Sequence, residues 1–67
     1  MEYLFTVSYK GMEARLVFQS FGLCTQSRKV LRSKGCTCSD VTPQLGKLDR
    51  SIAERETAAK FVAFALT

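Results

Sequence analysis

The chain has 67 residues, of which 46 % are hydrophobic and 24 % are charged, with ten Lys and Arg against six Asp and Glu and a formal net charge of +4. This composition excludes intrinsic disorder, and the length predicts a single domain over residues 1–67 with one small core. No apolar run approaches the ~18–20 residues that span a bilayer, and no secretory signal begins the chain, so we expect a cytoplasmic protein without a membrane partner.

An N-terminal β-hairpin is the clearest predicted element. Residues 2–9 and 12–20 flank Lys10-Gly11, and glycine suits the positive φ that a two-residue turn requires. Pairing across this turn places only apolar residues on one face, in the pairs Tyr9–Met12, Val7–Ala14, Phe5–Leu16 and Tyr3–Phe18. Shifting the register by one residue destroys this sorting, so the sequence specifies the register and another part of the chain must cover the apolar face.

The segment 26–34 is open to two interpretations. As a helix, it has Thr25 as its N-cap and ends at Gly35. Its thin inner stripe then comprises Leu23, Ser27, Val30 and Leu31. As a second hairpin, it has a Lys-Gly turn like the first. The adjacent residues Val30 and Leu31 favour the helix, because a strand would alternate between its two faces.

A short third strand over residues 36–42 and a second helix over residues 52–66 complete the predicted fold. Ser51, followed three residues later by Glu54, is typical of a capping box at a helix start. An apolar stripe at helical spacing is expected to cover the hairpin, and it comprises Ile52, Ala59, Val62, Ala63 and Leu66. The predicted fold class is α+β: a small antiparallel sheet built on the N-terminal hairpin, packed by the C-terminal helix, with the short basic helix or second hairpin between them.

The last turns of the C-terminal helix, from Phe61 to Leu66, are apolar all round. If Val62, Ala63 and Leu66 face the sheet, Phe64 or Phe61 must point elsewhere. We therefore identify Phe61, Phe64 and Leu66 as a candidate self-association surface, as in a homodimer. The alternative is that the middle segment folds over these rings.

The residue types that catalysis requires are scarce in this chain. Histidine is absent, which removes the commonest general base and the commonest nitrogen ligand for metals. The four glycines are isolated, so they form no phosphate-binding loop. Cys24, Cys36, Cys38 and Asp40 lack the usual spacing of a zinc site, and packing of the thiols in the core is favoured. We expect no enzyme activity, no metal and no cofactor.

The excess of positive charge lies in residues 25–47, which hold five Lys or Arg and one Asp. Four of these cations form the basic cluster, which comprises Arg28, Lys29, Arg32 and Lys34. No acidic residue lies between Glu13 and Asp40, so the cluster has no partner nearby in the sequence and is available to an anionic molecule. The alternative interpretation is a solvated face, or tertiary pairing with distant carboxylates.

These observations predict a non-catalytic interaction module that binds and modulates, for instance inhibits, a larger protein or nucleoprotein complex. Small accessory proteins of phages and other mobile elements are of this general kind. The alternative function is a small basic nucleic-acid-binding protein that uses the same cations. Binding of single-stranded nucleic acid is not favoured, because the aromatic residues offer no platform of exposed rings on which bases could stack.

Overall fold

Six elements follow one another in the computed structural model, which describes residues 1–67. They are β1 (Glu2–Tyr9), β2 (Met12–Phe18), α1 (Phe21–Ser33), β3 (Thr37–Cys38), β4 (Thr42–Gln44) and α2 (Ile52–Ala65). Strands β1 to β4 form one antiparallel sheet, and both helices contact it. The predicted α+β class is therefore confirmed. Neither helix is both long enough and apolar enough to cross a membrane.

Strands β1 and β2 pair in the predicted register, from Tyr9–Met12 at the turn to Tyr3–Phe18 at the open end. Lys10 and Gly11 have φ angles of 50° and 81°, and two successive positive φ angles define the turn whose twist matches that of a hairpin. The inward side chains of the apolar face form the floor of the core, and they include the buried Phe5, Val7, Ala14 and Leu16.

Replacement of Gly11 by alanine is expected to lower the free energy of unfolding by about 1–2 kcal/mol, the cost of a left-handed conformation for a residue with a Cβ atom. A Cβ at this position would meet no atom within 4 Å, so the cost arises in the backbone alone. Urea denaturation measures the effect. Gly22→Ala, which lies in the first turn of α1, is the matched control and is expected to retain full stability. Equal stability of the two variants would contradict the turn conformation.

Strands β3 and β4 occupy the same edge of β1, opposite β2. Their registers against β1 differ by one residue, so Asp40 and Val41 together stand opposite Phe5. At this bulge the Thr6 N–H donates to Ser39 Oγ at 2.8 Å, and the Ser39 N–H donates to Thr6 O at 2.9 Å. The bulge explains why the region predicted as one strand forms two short ones.

Helix α1 confirms the helical interpretation of the middle segment, and the second-hairpin alternative is wrong. The predicted start at Thr25 is also wrong, because Ser20 is the N-cap and its Oγ accepts from the Leu23 N–H at 3.3 Å. The longer helix buries Cys24 and Leu31, which lie two turns apart on one face. Leu23, which was expected in the inner stripe, is 60 % exposed. The helix ends before Gly35, as predicted, and this glycine has a φ angle of 94°.

Helix α2 begins as predicted, with Ser51 Oγ accepting from the Glu54 N–H at 3.1 Å. The predicted apolar stripe is wrong, because Ile52, Val62 and Leu66 are exposed. Ala58 and Phe61 face the core instead. The carboxylate of Glu54, which lies on this same face, binds Arg15 of β2 and thereby fixes which side of the helix meets the sheet.

Candidate partner-binding surface on helix α1

Two of the four cations in the basic cluster bind other groups of the same chain, and the other two have no such partners. Arg28 belongs to the first kind: its Nε donates to Ser39 O at 2.6 Å, and its Nη2 lies 3.5 Å from Asp40 Oδ1. Asp40 is nearly fully exposed, so this ion pair alone contributes little stability. The hydrogen bond to Ser39 joins α1 to the bulge between β3 and β4.

Lys34 is the second cation with internal partners. Its Nζ donates to Thr67 O at 2.7 Å and lies 5.0 Å from the centroid of the Phe64 ring. The same ring stacks on Tyr9, with 5.7 Å between the centroids. Lys34 therefore joins the end of α1 to the end of α2.

The candidate self-association surface is not assembled by the fold. Phe61 is 2 % exposed and belongs to the core, so its predicted exposure is wrong. Phe64 is half-buried against Tyr9 and Lys34. Only Leu66 is largely exposed, at 83 %. The reason is the orientation of α2, which turns Phe61 toward the sheet.

Lys29 and Arg32 are the two cations of the cluster without internal partners. Both side chains are exposed, and neither side chain takes part in a hydrogen bond or an ion pair. No acidic residue occurs in α1. The two side chains border open grooves along the helix, whose lining also includes Thr25, Gln26 and Ser33.

A continuous line of exposed side chains crosses the outer side of α1. It consists of residues three positions apart, and we call it the α1 ridge: Leu23, Gln26, Lys29 and Arg32. Successive side chains at this spacing are neighbours on a helix surface, but each step turns by about 60°, so Leu23 and Arg32 lie on opposite flanks of the exposed side. Sequence reasoning missed the ridge because it began the helix too late and turned Leu23 inward. The signal that could have found it is Ser20, an earlier N-cap residue.

The carboxylate of Glu54 accepts more hydrogen bonds than any other in the chain, and its role is to stabilise the fold. Glu54 accepts from Arg15 Nε at 2.7 Å, from Arg15 Nη2 at 2.8 Å and from the Arg15 main-chain N–H at 3.1 Å. Hydrogen bonding to this guanidinium lowers the pKa of Glu54 to about 2. Arg50 Nη1 also donates to Arg15 O at 2.8 Å. A carboxylate that stays ionised and fully engaged is unsuited to general acid or base chemistry at neutral pH.

The three thiols are free, with Cys24 and Cys36 buried and Cys38 partly buried. Burial is the main cause that raises the pKa of each thiol above its usual value. A raised pKa reduces the thiolate fraction and with it the reactivity of the sulfur. No group of three or more Cys, Asp or Glu side chains is placed to hold a metal ion.

Six of the seven aromatic rings are paired with one another. The pairs are Tyr3–Phe21, Phe5–Phe18 and Tyr9–Phe64, with centroid separations of 5.3, 6.1 and 5.7 Å. The seventh ring is the buried Phe61. The structure therefore presents no row of free rings beside the basic cluster on which successive bases could stack.

The fold and the α1 ridge define a small α+β protein with a cationic helix on its surface. No protein-family model matches the chain, and neither a curated protein nor a solved structure is significantly similar to it.

Proposed function

We propose that the protein is a non-catalytic interaction module that binds a larger protein through the exposed side of α1 and modulates the activity of that protein. The observation that carries this proposal is the pair Lys29 and Arg32. These cations lie about one turn apart, are exposed and have no internal partner, on a helix without acidic residues. They are suited to an anionic surface, where charge complementarity speeds association and sets the register.

The rigid support of α1 favours a binding role. Cys24 and Leu31 anchor the inner side of the helix in the core, and Arg28 ties its flank to Ser39. The outer side is thus supported by the core and by the sheet, which favours binding with little ordering of the backbone. The free thiols are compatible with the reducing cytoplasm, which is where we place the protein.

A protein partner is favoured over nucleic acid by two features of the surface. The α1 ridge begins with the largely exposed Leu23, whose side chain would gain nothing from contact with phosphates. The paired rings also provide no platform for bases. Two phosphate contacts, through Lys29 and Arg32, would give a salt slope of only about −1.8 on duplex DNA.

The test is affinity capture from an extract of the cells that produce the protein. The variant Lys29→Glu/Arg32→Glu is expected to retain at most about one tenth of the partner that the unmodified protein retains. A tenfold change in affinity corresponds to about 1.4 kcal/mol of binding free energy. The matched control, Lys47→Glu/Lys60→Glu, makes the same change in net charge at two other exposed cations and is expected to retain the partner. Quantitative mass spectrometry measures the retained proteins, and circular dichroism verifies that both variants fold.

Three outcomes would contradict the proposal. Equal losses in both double variants would show that net charge alone drives retention. Full retention by Lys29→Glu/Arg32→Glu would remove the α1 surface from the contact. If nuclease treatment abolishes retention and purified duplex DNA binds the unmodified protein with the expected salt slope, the function is nucleic-acid binding instead.

A further inference from the structure

We infer that two copies of the chain associate through the outer side of α2, with the two helices antiparallel across a two-fold axis. This inference goes beyond the proposed function, because it concerns a different helix and a different occupant. Most of the apolar stripe that the sequence predicts on α2 lies on the side that faces solvent, and a second copy of that same side is the surface that fits it.

An apolar stripe runs along the side of α2 that is opposite the core. We call it the outer stripe, and it comprises Ile52, Ala59, Ala63 and Leu66. At about 100° per residue, these four side chains lie within about 60° of one another around the helix axis. The buried Phe61 points about 180° away from Ile52. All four residues of the outer stripe are exposed, Ile52 by 73 % and Leu66 by 83 %.

The order of side-chain sizes along the outer stripe suits two antiparallel helices. Ile52 and Leu66 stand at its two ends, about 21 Å apart at 1.5 Å per residue. The small Ala59 and Ala63 lie between them, where they allow two helix axes to approach closely. Antiparallel packing about Ala59 places Ile52 of each copy against Leu66 of the other, so the most exposed apolar side chains of α2 cover each other.

Three charged side chains border the outer stripe, and none of them forms an ion pair within the chain. Arg55 lies on one flank of the stripe, whereas Glu56 and Lys60 lie together on the other flank. Across a two-fold axis, each flank of an antiparallel helix faces the same flank of the second copy. Glu56 of each copy therefore lies beside Lys60 of the other. The stripe is complementary in charge to itself, which favours a second copy as its occupant.

The charges also favour the antiparallel direction. Parallel packing would bring Arg55 beside Arg55 of the second copy, at the same height along the two helices. Antiparallel packing brings it beside Val62 of the second copy, on which the apolar stem of the arginine can pack. A two-fold axis at position 58 aligns Glu56 with Lys60, and the apolar ends require it at position 59. The two positions differ by about 1.5 Å along the helix, which the side chains can accommodate.

Sedimentation equilibrium of the full chain tests this inference. One helix from each copy makes a small interface, so we expect reversible association with a dissociation constant between about 10 μM and 1 mM. The weight-average mass is expected to rise from 7.5 kDa at a concentration of about 1 μM toward twice that mass at about 1 mM. A buffer with about 0.15 M salt limits the repulsion that arises from the net charge of +4.

The variant Ala59→Glu locates the contact. It is expected to weaken self-association at least tenfold, because the two introduced carboxylates meet near the two-fold axis. Ala53→Glu is the matched control: it makes the same substitution at an exposed alanine of the same helix, about 100° around the axis from Ile52. This control is expected to associate like the unmodified protein. Circular dichroism verifies that both variants fold.

Exchange of the flanking charges tests the direction of the helices. Glu56→Lys alone and Lys60→Glu alone are each expected to weaken self-association about five- to tenfold, because each places like charges beside one another twice. An equimolar mixture of the two variants is expected to recover the association. In the mixed dimer, the introduced lysine faces the introduced glutamate, and the native Lys60 of one copy faces the native Glu56 of the other.

Three results would overturn the inference. The first is a monomer at every concentration up to about 1 mM. The second is equal weakening by Ala59→Glu and Ala53→Glu, which would move the contact away from the outer stripe. The third is a mixture of the charge variants that associates no better than each variant alone. None of these results bears on the capture experiment, and failure of that experiment would leave the association through α2 standing.

Discussion

The Phe61→Ala variant is expected to be largely unfolded, whereas Leu66→Ala is expected to keep nearly the stability of the unmodified protein. Phe61 is 2 % exposed and packs in the core, while Leu66 is 83 % exposed. Truncating a buried phenylalanine costs about 3–5 kcal/mol. The whole hydrophobic core of a protein this small stabilises the folded state by about the same free energy. One side chain is thus expected to decide whether the protein folds.

Urea denaturation followed by circular dichroism compares the two variants. Phe61→Leu is included because it keeps a large apolar side chain, and it is expected to show a measurable transition at a lower urea concentration. Leu66→Ala is the matched control from the same end of α2. If Leu66→Ala loses most of the stability while Phe61→Ala keeps it, the orientation of α2, with Phe61 in the core and Leu66 exposed, is wrong.

Acid is expected to destabilise the protein through Glu54. Its folded-state pKa is about 2, below the ordinary value of 4.5, because the carboxylate accepts hydrogen bonds from Arg15. A pKa that is lower in the folded state contributes stability above pH ~4.5, and this contribution is lost as the pH falls toward about 2. The free energy of unfolding is therefore expected to fall across this window.

The variant Glu54→Gln isolates this effect. Glutamine retains an acceptor for the Arg15 main-chain N–H but cannot titrate, so the decrease in stability between pH ~4.5 and about 2 is expected to become shallower. Glu56→Gln, two residues further along α2, is the control, because Glu56 makes no ion pair. Urea titrations at several pH values provide the measurement. An unchanged slope in Glu54→Gln would assign the acid sensitivity to other carboxylates.

The hairpin could be predicted residue by residue, whereas the orientation of α2 could not. Only one register sorts the apolar pairs onto a single face, so alternation alone determines the pairing of β1 and β2. In α2 the run from Phe61 to Leu66 is apolar on every side, and periodicity therefore leaves the rotation of the helix undetermined. The bond between Arg15 and Glu54 sets that rotation, and it joins residues 39 positions apart.

The basic cluster could be proposed from the sequence because the positive charge is concentrated in one segment. Sequence could not show that Arg28 binds Ser39, 11 residues away, or that Lys34 binds Thr67, 33 residues away. These contacts depend on how the sheet and α2 assemble around α1. The start of α1 was missed for a related reason, since Ser20 and Thr25 are both good N-caps and burial of Cys24 decides between them.

The bonds that Glu54 and Arg50 make to the backbone of Arg15 have a further consequence at the outer border of the sheet. The main-chain N–H and C=O of Arg15, at the middle of β2, are already occupied and cannot template an incoming strand. In β4, Pro43 has no N–H to offer. The sheet thus resists fibril-like polymerisation at these positions, and the contact with a partner that we propose is left to side chains.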